Sequence, residues 1–224
     1  MARFEQIGSA TIPGKGTELR LLQRNNEFSI KIAGTTGELM NSRLHGSEDA
    51  LATLACERIA GQAAPKVLIG GLGMGFTLAA ALAALGKDAE VTVAELVPQV
   101  VDWNRGPLGA AAGYPVNDPR TRIHVGDVGQ LLKQSAGTWD AIMLDVDNGP
   151  EGLTRKENDW IYSRAGLLAA QAALRPEGVV AYWSVGQDPA FTERLRGIGF
   201  AAEAVTVRAH KPGKGARHVI WLAW

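Results

Sequence analysis

Val67-Leu-Ile-Gly-Gly-Leu-Gly-Met-Gly75 decides how this chain folds. Val67–Gly70 is a short apolar run, the pattern of a strand buried on both faces. A glycine-rich turn follows, and Phe76–Leu85 reads as a helix. A backbone turning this sharply under a ligand leaves no room for Cβ atoms and often needs positive φ. The spacing Gly71-x-Gly73-x-Gly75 departs from the dinucleotide pattern GxGxxG/A, because position 76 is Phe. It suits a nucleoside whose amino-acid tail crosses the turn, or else a tight turn with no ligand.

Downstream, strands and helices alternate. Strands are expected at Glu90–Glu95, Arg122–Val125, Trp139–Asp145 and Val179–Trp183. Helices are expected from Pro98, over Val128–Gln134, from Trp160 to Leu174 and over Asp188–Gly197. Gly106–Pro119, with three prolines, reads as a long loop, and Arg175–Gly178 as a turn. Such alternation predicts a parallel doubly wound sheet. The last two strands, Ala201–Arg208 and His218–Trp224, are joined only by His210–Arg217, too short for a parallel crossover, so they must be antiparallel. The expected fold is α/β: a Rossmann-like class I methyltransferase fold, with a mostly parallel seven-stranded sheet ending in an antiparallel hairpin.

Upstream lies a small β-rich segment, residues 1–46, with strands Glu18–Gln23 and Glu27–Ala33 around a turn at Arg24–Asn26. Residues 47–224 form the Rossmann-like domain, opened by a helix running to about Ile59 with Ser47 as N-cap and acidic residues in its first turn.

Each strand end carries a candidate. Glu95, twenty residues beyond Gly75, can accept hydrogen bonds from ribose hydroxyls. Asp127 can accept from an adenine amino group while the Val128 N–H donates to the ring; it can equally cap the helix that follows. Asp145 ends the fourth strand at the sheet's switch point, where doubly wound folds place ligands. With Asp147 it could hold a cationic substrate or take a proton from an amine, and the same pair fits an Asx-type turn into Gly149-Pro150. Trp183 is a candidate wall of the acceptor pocket. His45 could face the site or lie on the surface, and Trp221 and Trp224 read as core.

Composition narrows the classes further. Lys+Arg and Asp+Glu both number 23, so no net field favours nucleic acid or an anionic membrane. The single cysteine, Cys56, rules out an internal disulfide and a Cys-cluster metal site, and reads as a buried, inert thiol. The four histidines form no spaced ligand pair, so no metal is expected. The N-terminus lacks a signal-peptide h-region and the longest apolar stretch, Thr77–Leu85, cannot span a bilayer. A cytoplasmic location is the expectation.

The order VLIGGLGMG, VAELVPQVV, DPRTRIHVGDVGQLL, WDAIMLDVDNGPEG resembles the spermidine synthase family from about Val67 to Gly178. The resemblance implies Glu95 on the ribose, Asp127 on the adenine and Asp145 as the acid that deprotonates an attacking amine. It also implies decarboxylated S-adenosylmethionine as donor, an aminopropyl group transferred to putrescine, and a homodimer. The departures bear on the donor's tail and on the acceptor. Gly73 stands where such synthases carry an Asp in GGGDGG, Asp147 is shifted by one within DSSDP, Trp183 replaces a Gln, and Gly46-Ser47-Glu48 replaces Tyr-His-Glu. The sequence therefore favours methyl transfer from S-adenosylmethionine to a small-molecule acceptor. Aminopropyl transfer is the alternative; an NAD(P)-dependent oxidoreductase and a non-catalytic nucleoside-binding protein are the other classes.

Overall fold

In the computed structural model, residues 3–35, 37–146, 159–210 and 214–224 are described. The N-terminal segment forms a four-stranded antiparallel meander: β1 (Glu5–Thr11), β2 (Glu18–Arg24), β3 (Glu27–Ile32) and β4 (Glu38–Asn41). Only β2 and β3 were expected. In β1, Gly8 interrupts the apolar alternation where the register slips between Gln6 and Gly8, and a Cβ there would lie 2.7 Å from Trp103 Nε1. The residue is small because it passes beneath an indole, which hides the strand from a reading by periodicity.

The larger body follows as α1 (Gly46–Arg58), β5 (Lys66–Gly70), α2 (Phe76–Ala84), β6 (Glu90–Glu95), α3 (Pro98–Arg105), α4 (Gly109–Ala112) and β7 (Thr121–Val125). It continues with α5 (Val128–Gln134), β8 (Trp139–Leu144), α6 (Asp159–Tyr162), α7 (Arg164–Ala173), β9 (Leu174–Ser184), α8 (Pro189–Arg196), β10 (Ala202–His210) and β11 (Lys214–Ala223). The sheet order is β10-β11-β9-β8-β5-β6-β7. Strands β5 to β9 are parallel, whereas β11 runs antiparallel to both β9 and β10. This is the class I methyltransferase arrangement, with the expected terminal hairpin.

Burial explains the order. All six residues of β8 are buried, as are Val67–Gly70 in β5 and Val179–Tyr182 in β9, the pattern of central strands covered on both faces. The flanking β7 and β10 alternate with exposed residues and close the edges. One apolar cluster joins Leu21 and Ile30 of the small sheet to Ile69, Val93 and Leu51, so the meander shares its core with the larger body. On the opposite face Phe191, fully buried, meets Tyr182, Tyr162 and Trp221 edge-on, with centroids 5.0 to 5.6 Å away.

Several local expectations change. Helix α1 is preceded by His45 at the N-cap position, without a side-chain cap; Ser47 lies inside the helix, its hydroxyl directed to Glu48. The Gly106–Pro119 segment contains α4 and a 3₁₀ turn at Pro115–Asn117. Arg175–Gly178 belongs to β9, which absorbs a register shift with Glu177 at positive φ. Ser163 breaks the helix expected from Trp160, capping α7 by accepting from the Gly166 N–H. Trp221 is core, but Trp224 is 40% exposed, with the Arg58 guanidinium 3.5 Å above its ring. Cys56 is buried, and burial pushes its thiol up to about 12, far from a reactive thiolate. No described helix is long and apolar enough to cross a membrane.

Phe191→Ala would leave a cavity amid rigid rings. It is expected to cost about 3–5 kcal/mol of unfolding free energy, measured by urea titration.

Candidate functional site

The parallel strands end on one side of the sheet, and there the chain encloses a cavity of about 580 Å³. Gly71 and Gly73 line it beyond β5, Glu95 at the end of β6, Asp127 and Val128 beyond β7, Asp145 beyond β8 and Trp183 from β9. The meander contributes an apolar wall, including Ile12, Ile30 and Met40. Six of the strand-end candidates, together with Trp183, are thus brought together. Gly75 is not: it does not line the cavity but caps α2 at φ +84, where a Cβ would lie 2.9 Å from Asn104 Oδ1. Its smallness serves the packing of the turn on α3. Asp147 lies outside the described residues.

Backbone hydrogen bonds tie the strand ends to one another. Asp145 N–H donates to Gly70 O (3.0 Å), Gly71 N–H to Ala94 O (2.9 Å) and Gly126 N–H to Glu95 O (2.8 Å). Gly71 sits at φ +89, and a Cβ there would overlap the Asp145 carbonyl oxygen. Glycine is required by both the dihedral and the close approach. On the other side of the turn, buried Asn104 donates from Nδ2 to Gly73 O and Val100 O, both at 2.9 Å.

Glu95 is 7% exposed; its Oε2 accepts from Leu72 N–H (2.9 Å) and its Oε1 from Val97 N–H (2.8 Å). Burial raises its pKa, against the pull of the surrounding backbone N–H groups. Each carboxylate oxygen has two acceptor positions, so a pair of hydroxyls in the cavity can still be bound. Asp127 Oδ1 accepts from Gly129 N–H (2.8 Å) and caps α5, leaving Oδ2 for a donor such as an exocyclic amine. The two readings of Asp127 are compatible. This donor and acceptor set fits an adenosyl group.

Asp145 is the group whose ionisation the fold alters most usefully. Desolvation pushes it up to about 7, the Glu48 carboxylate adds to the rise, and a hydrogen bond from Thr77 Oγ1 (3.3 Å) opposes it. Glu48 lines the same cavity, and burial raises its pKa too, while Ser47 donates to its Oε2 at 2.6 Å. Glu48, Thr77 and His218 were not singled out as site residues. The signal for Glu48 was an acid in a first helical turn; nothing local marks His218, whose link to Ser47 spans 171 residues. His45 does not line the cavity; it stacks on Phe76 at 4.2 Å and approaches Asp49 at 3.1 Å. Among the described residues no group of three His, Cys, Asp or Glu is placed to hold a metal ion.

Comparison with known proteins gives a consistent picture. The spermine/spermidine synthase domain model matches residues 54–195, more than half of the chain. Spermidine synthase from Thermotoga maritima superposes with a TM-score of 0.74 at 16% identity, covering 99% of this chain and 74% of that one. A spermidine synthase in complex with the transition state analogue AdoDATO gives 0.74 and 16%, covering 99% of this chain and 73% of that one. No curated protein sequence matches the chain.

The raised Asp145 carboxyl has a cost in stability. Between its ordinary pKa of 3.8 and about 7, the unfolded chain loses the proton while the folded chain keeps it, so the penalty grows with pH and levels off above 7. Asp145→Asn is therefore expected to match the wild-type Tm near pH 4 and to exceed it increasingly up to pH 7 in thermal melts.

Proposed function

The chain belongs to the spermine/spermidine synthase family, and from that premise we propose that it transfers an aminopropyl group from decarboxylated S-adenosylmethionine to a small-molecule amine. The observation that carries this reading is Asp145: a carboxyl held near neutrality at the cavity, at the switch point of the sheet, with Glu48 beside it. A general base works best when its pKa lies near the operating pH.

When bound, such a donor supplies a sulfonium whose neighbouring carbon is open to displacement. The protein's part is to hold and align. Glu95 takes the ribose hydroxyls, and Asp127 with the Val128 N–H takes the adenine. Gly71 and Gly73 let the donor's tail lie against the turn, and Trp183 walls the acceptor space, with Asp147 proposed as a further acceptor contact. As the amine nitrogen bonds to carbon, the carbon–sulfur bond breaks and its electron pair stays on sulfur. Asp145 accepts the proton that the amine gives up. Alignment of nitrogen, carbon and sulfur supplies most of the acceleration.

Methyl transfer from S-adenosylmethionine, the reading favoured by the sequence alone, is the second possibility. Gly73 supports it, since a position without a carboxylate tolerates the carboxylated donor. The family match and the fold neighbours support aminopropyl transfer better.

Incubation with each donor and a panel of amines separates the two. Methylthioadenosine and an aminopropylated amine are the expected products, and S-adenosylhomocysteine would favour methyl transfer instead. Asp145→Asn is expected to lower kcat by roughly 10²- to 10⁴-fold with donor affinity largely kept.

A further inference from the structure

Where the first helix meets the last strand, the neighbouring side chains of Ser47 and Glu48 and the distant His218 form a continuous line. Ser47 Oγ donates to Glu48 Oε2 at 2.6 Å, and His218 Nδ1 lies 2.9 Å from the same Ser47 oxygen. Ser47 is fully buried, and both Glu48 and His218 line the cavity that holds Asp145.

With Glu48 ionised, its carboxylate can only accept, and 2.6 Å is the length of a charge-assisted O–H···O⁻ bond. The one proton of Ser47 is therefore committed to Glu48. Its oxygen can then only accept from His218, so Nδ1 must carry a hydrogen. Burial lowers the pKa of His218, which keeps the ring neutral near pH 7. A neutral ring with a hydrogen on Nδ1 has none on Nε2. We propose that Ser47 and His218, in its Nδ1–H tautomer, form a relay that fixes the Glu48 carboxylate, so that Glu48 stays charged and Asp145 becomes the proton acceptor.

The surrounding packing allows little other geometry. A Cβ on Gly46 would lie 2.9 Å from Arg208 O, so the start of α1 is pressed directly on β10. Trp183 meets the His218 ring edge-on, with centroids 4.7 Å apart. Two carboxyl groups that share a site need something to decide which ionises first. Here Glu48 has the shorter hydroxyl bond, 2.6 Å from Ser47 against 3.3 Å from Thr77 to Asp145, and the resulting charge holds the proton on Asp145. The other ionisable groups around the pair are His45 just before α1, Asp49 on α1, Glu38 on β4, and Glu95 and Asp127 at the nucleoside end. None of these is hydrogen-bonded to Ser47. Ser47 and His218 are positioning residues, acting through Glu48.

The chemical role rests on the transferase reading above; the tautomer does not. Nitrogen NMR of the ¹⁵N-histidine-labelled protein at pH 8 tests the tautomer, the His218 signal being the one lost in His218→Phe. Hydrogen on Nδ1 is expected. Hydrogen on Nε2 would make Nδ1 an acceptor, take the Ser47 proton from Glu48 and overturn the relay.

In the transfer assay, Ser47→Ala is expected to move the acid limb of the rate–pH profile down by about one unit, because a protonated Glu48 no longer holds the proton on Asp145. His218→Phe should move it in the same direction, and His218→Asn, which keeps a donor near the Nδ1 position, should restore it. A rate that falls equally at every pH would reduce Ser47 to a packing role and overturn the proposal. Absence of transfer to any amine would sink the transferase reading, while the NMR measurement would still decide the relay.

Discussion

The approach of Gly71 to the Asp145 carbonyl is the constraint on which the rest of the site depends. Asp145 N–H holds Gly70 O, and the next residue must turn at φ +89 with no side chain to pass the Asp145 carbonyl. Because the turn is fixed there, Leu72 N–H points back to Glu95, and Glu95 in turn holds Val97. The ends of β5, β6 and β8 are thereby locked in one geometry. A site positioned by backbone hydrogen bonds between neighbouring strands is already organised for alignment-driven chemistry.

The same lock explains why Asp145 is an unusual carboxyl. Its backbone N–H is held by Gly70 of β5, which keeps the residue at the cavity. Thr77 offers a single hydrogen bond of 3.3 Å, and the nearby charge of Glu48 works against ionisation. Stability is spent to hold a carboxyl near neutrality, a recurrent feature of functional sites. The apolar wall from the meander completes the arrangement by lowering the polarity around the cavity, which strengthens each charge within it.

The sequence made the central sheet legible because its strands are continuous apolar runs, each followed by a residue with a strong local reason to be there. Gly71, Glu95, Asp127 and Asp145 all lie where strand-end reasoning put them. Gly75 packs against Asn104 off the cavity, and a glycine kept small for packing looks the same in sequence as one kept small for a ligand. β1 was hidden by the contact of Gly8 with Trp103, and Ser47 looked like a cap because its true partners lie one residue ahead and 171 residues away. Pairings of that range leave no local period to detect. The part of the cavity around Glu48 and His218 is built from such pairings and from the meander, so it emerged only from the fold.

The most direct test of the central claim, that these locked strand ends form an adenosyl site read through Glu95, changes the ligand and leaves the protein intact. Calorimetric titration of the wild-type chain would compare 5′-methylthioadenosine with its 2′,3′-dideoxy counterpart. The account predicts that the first binds and that losing both hydroxyls weakens binding by about tenfold or more, the worth of charge-assisted bonds to a buried carboxylate. Equal affinity for the two, or no binding of either, would contradict it.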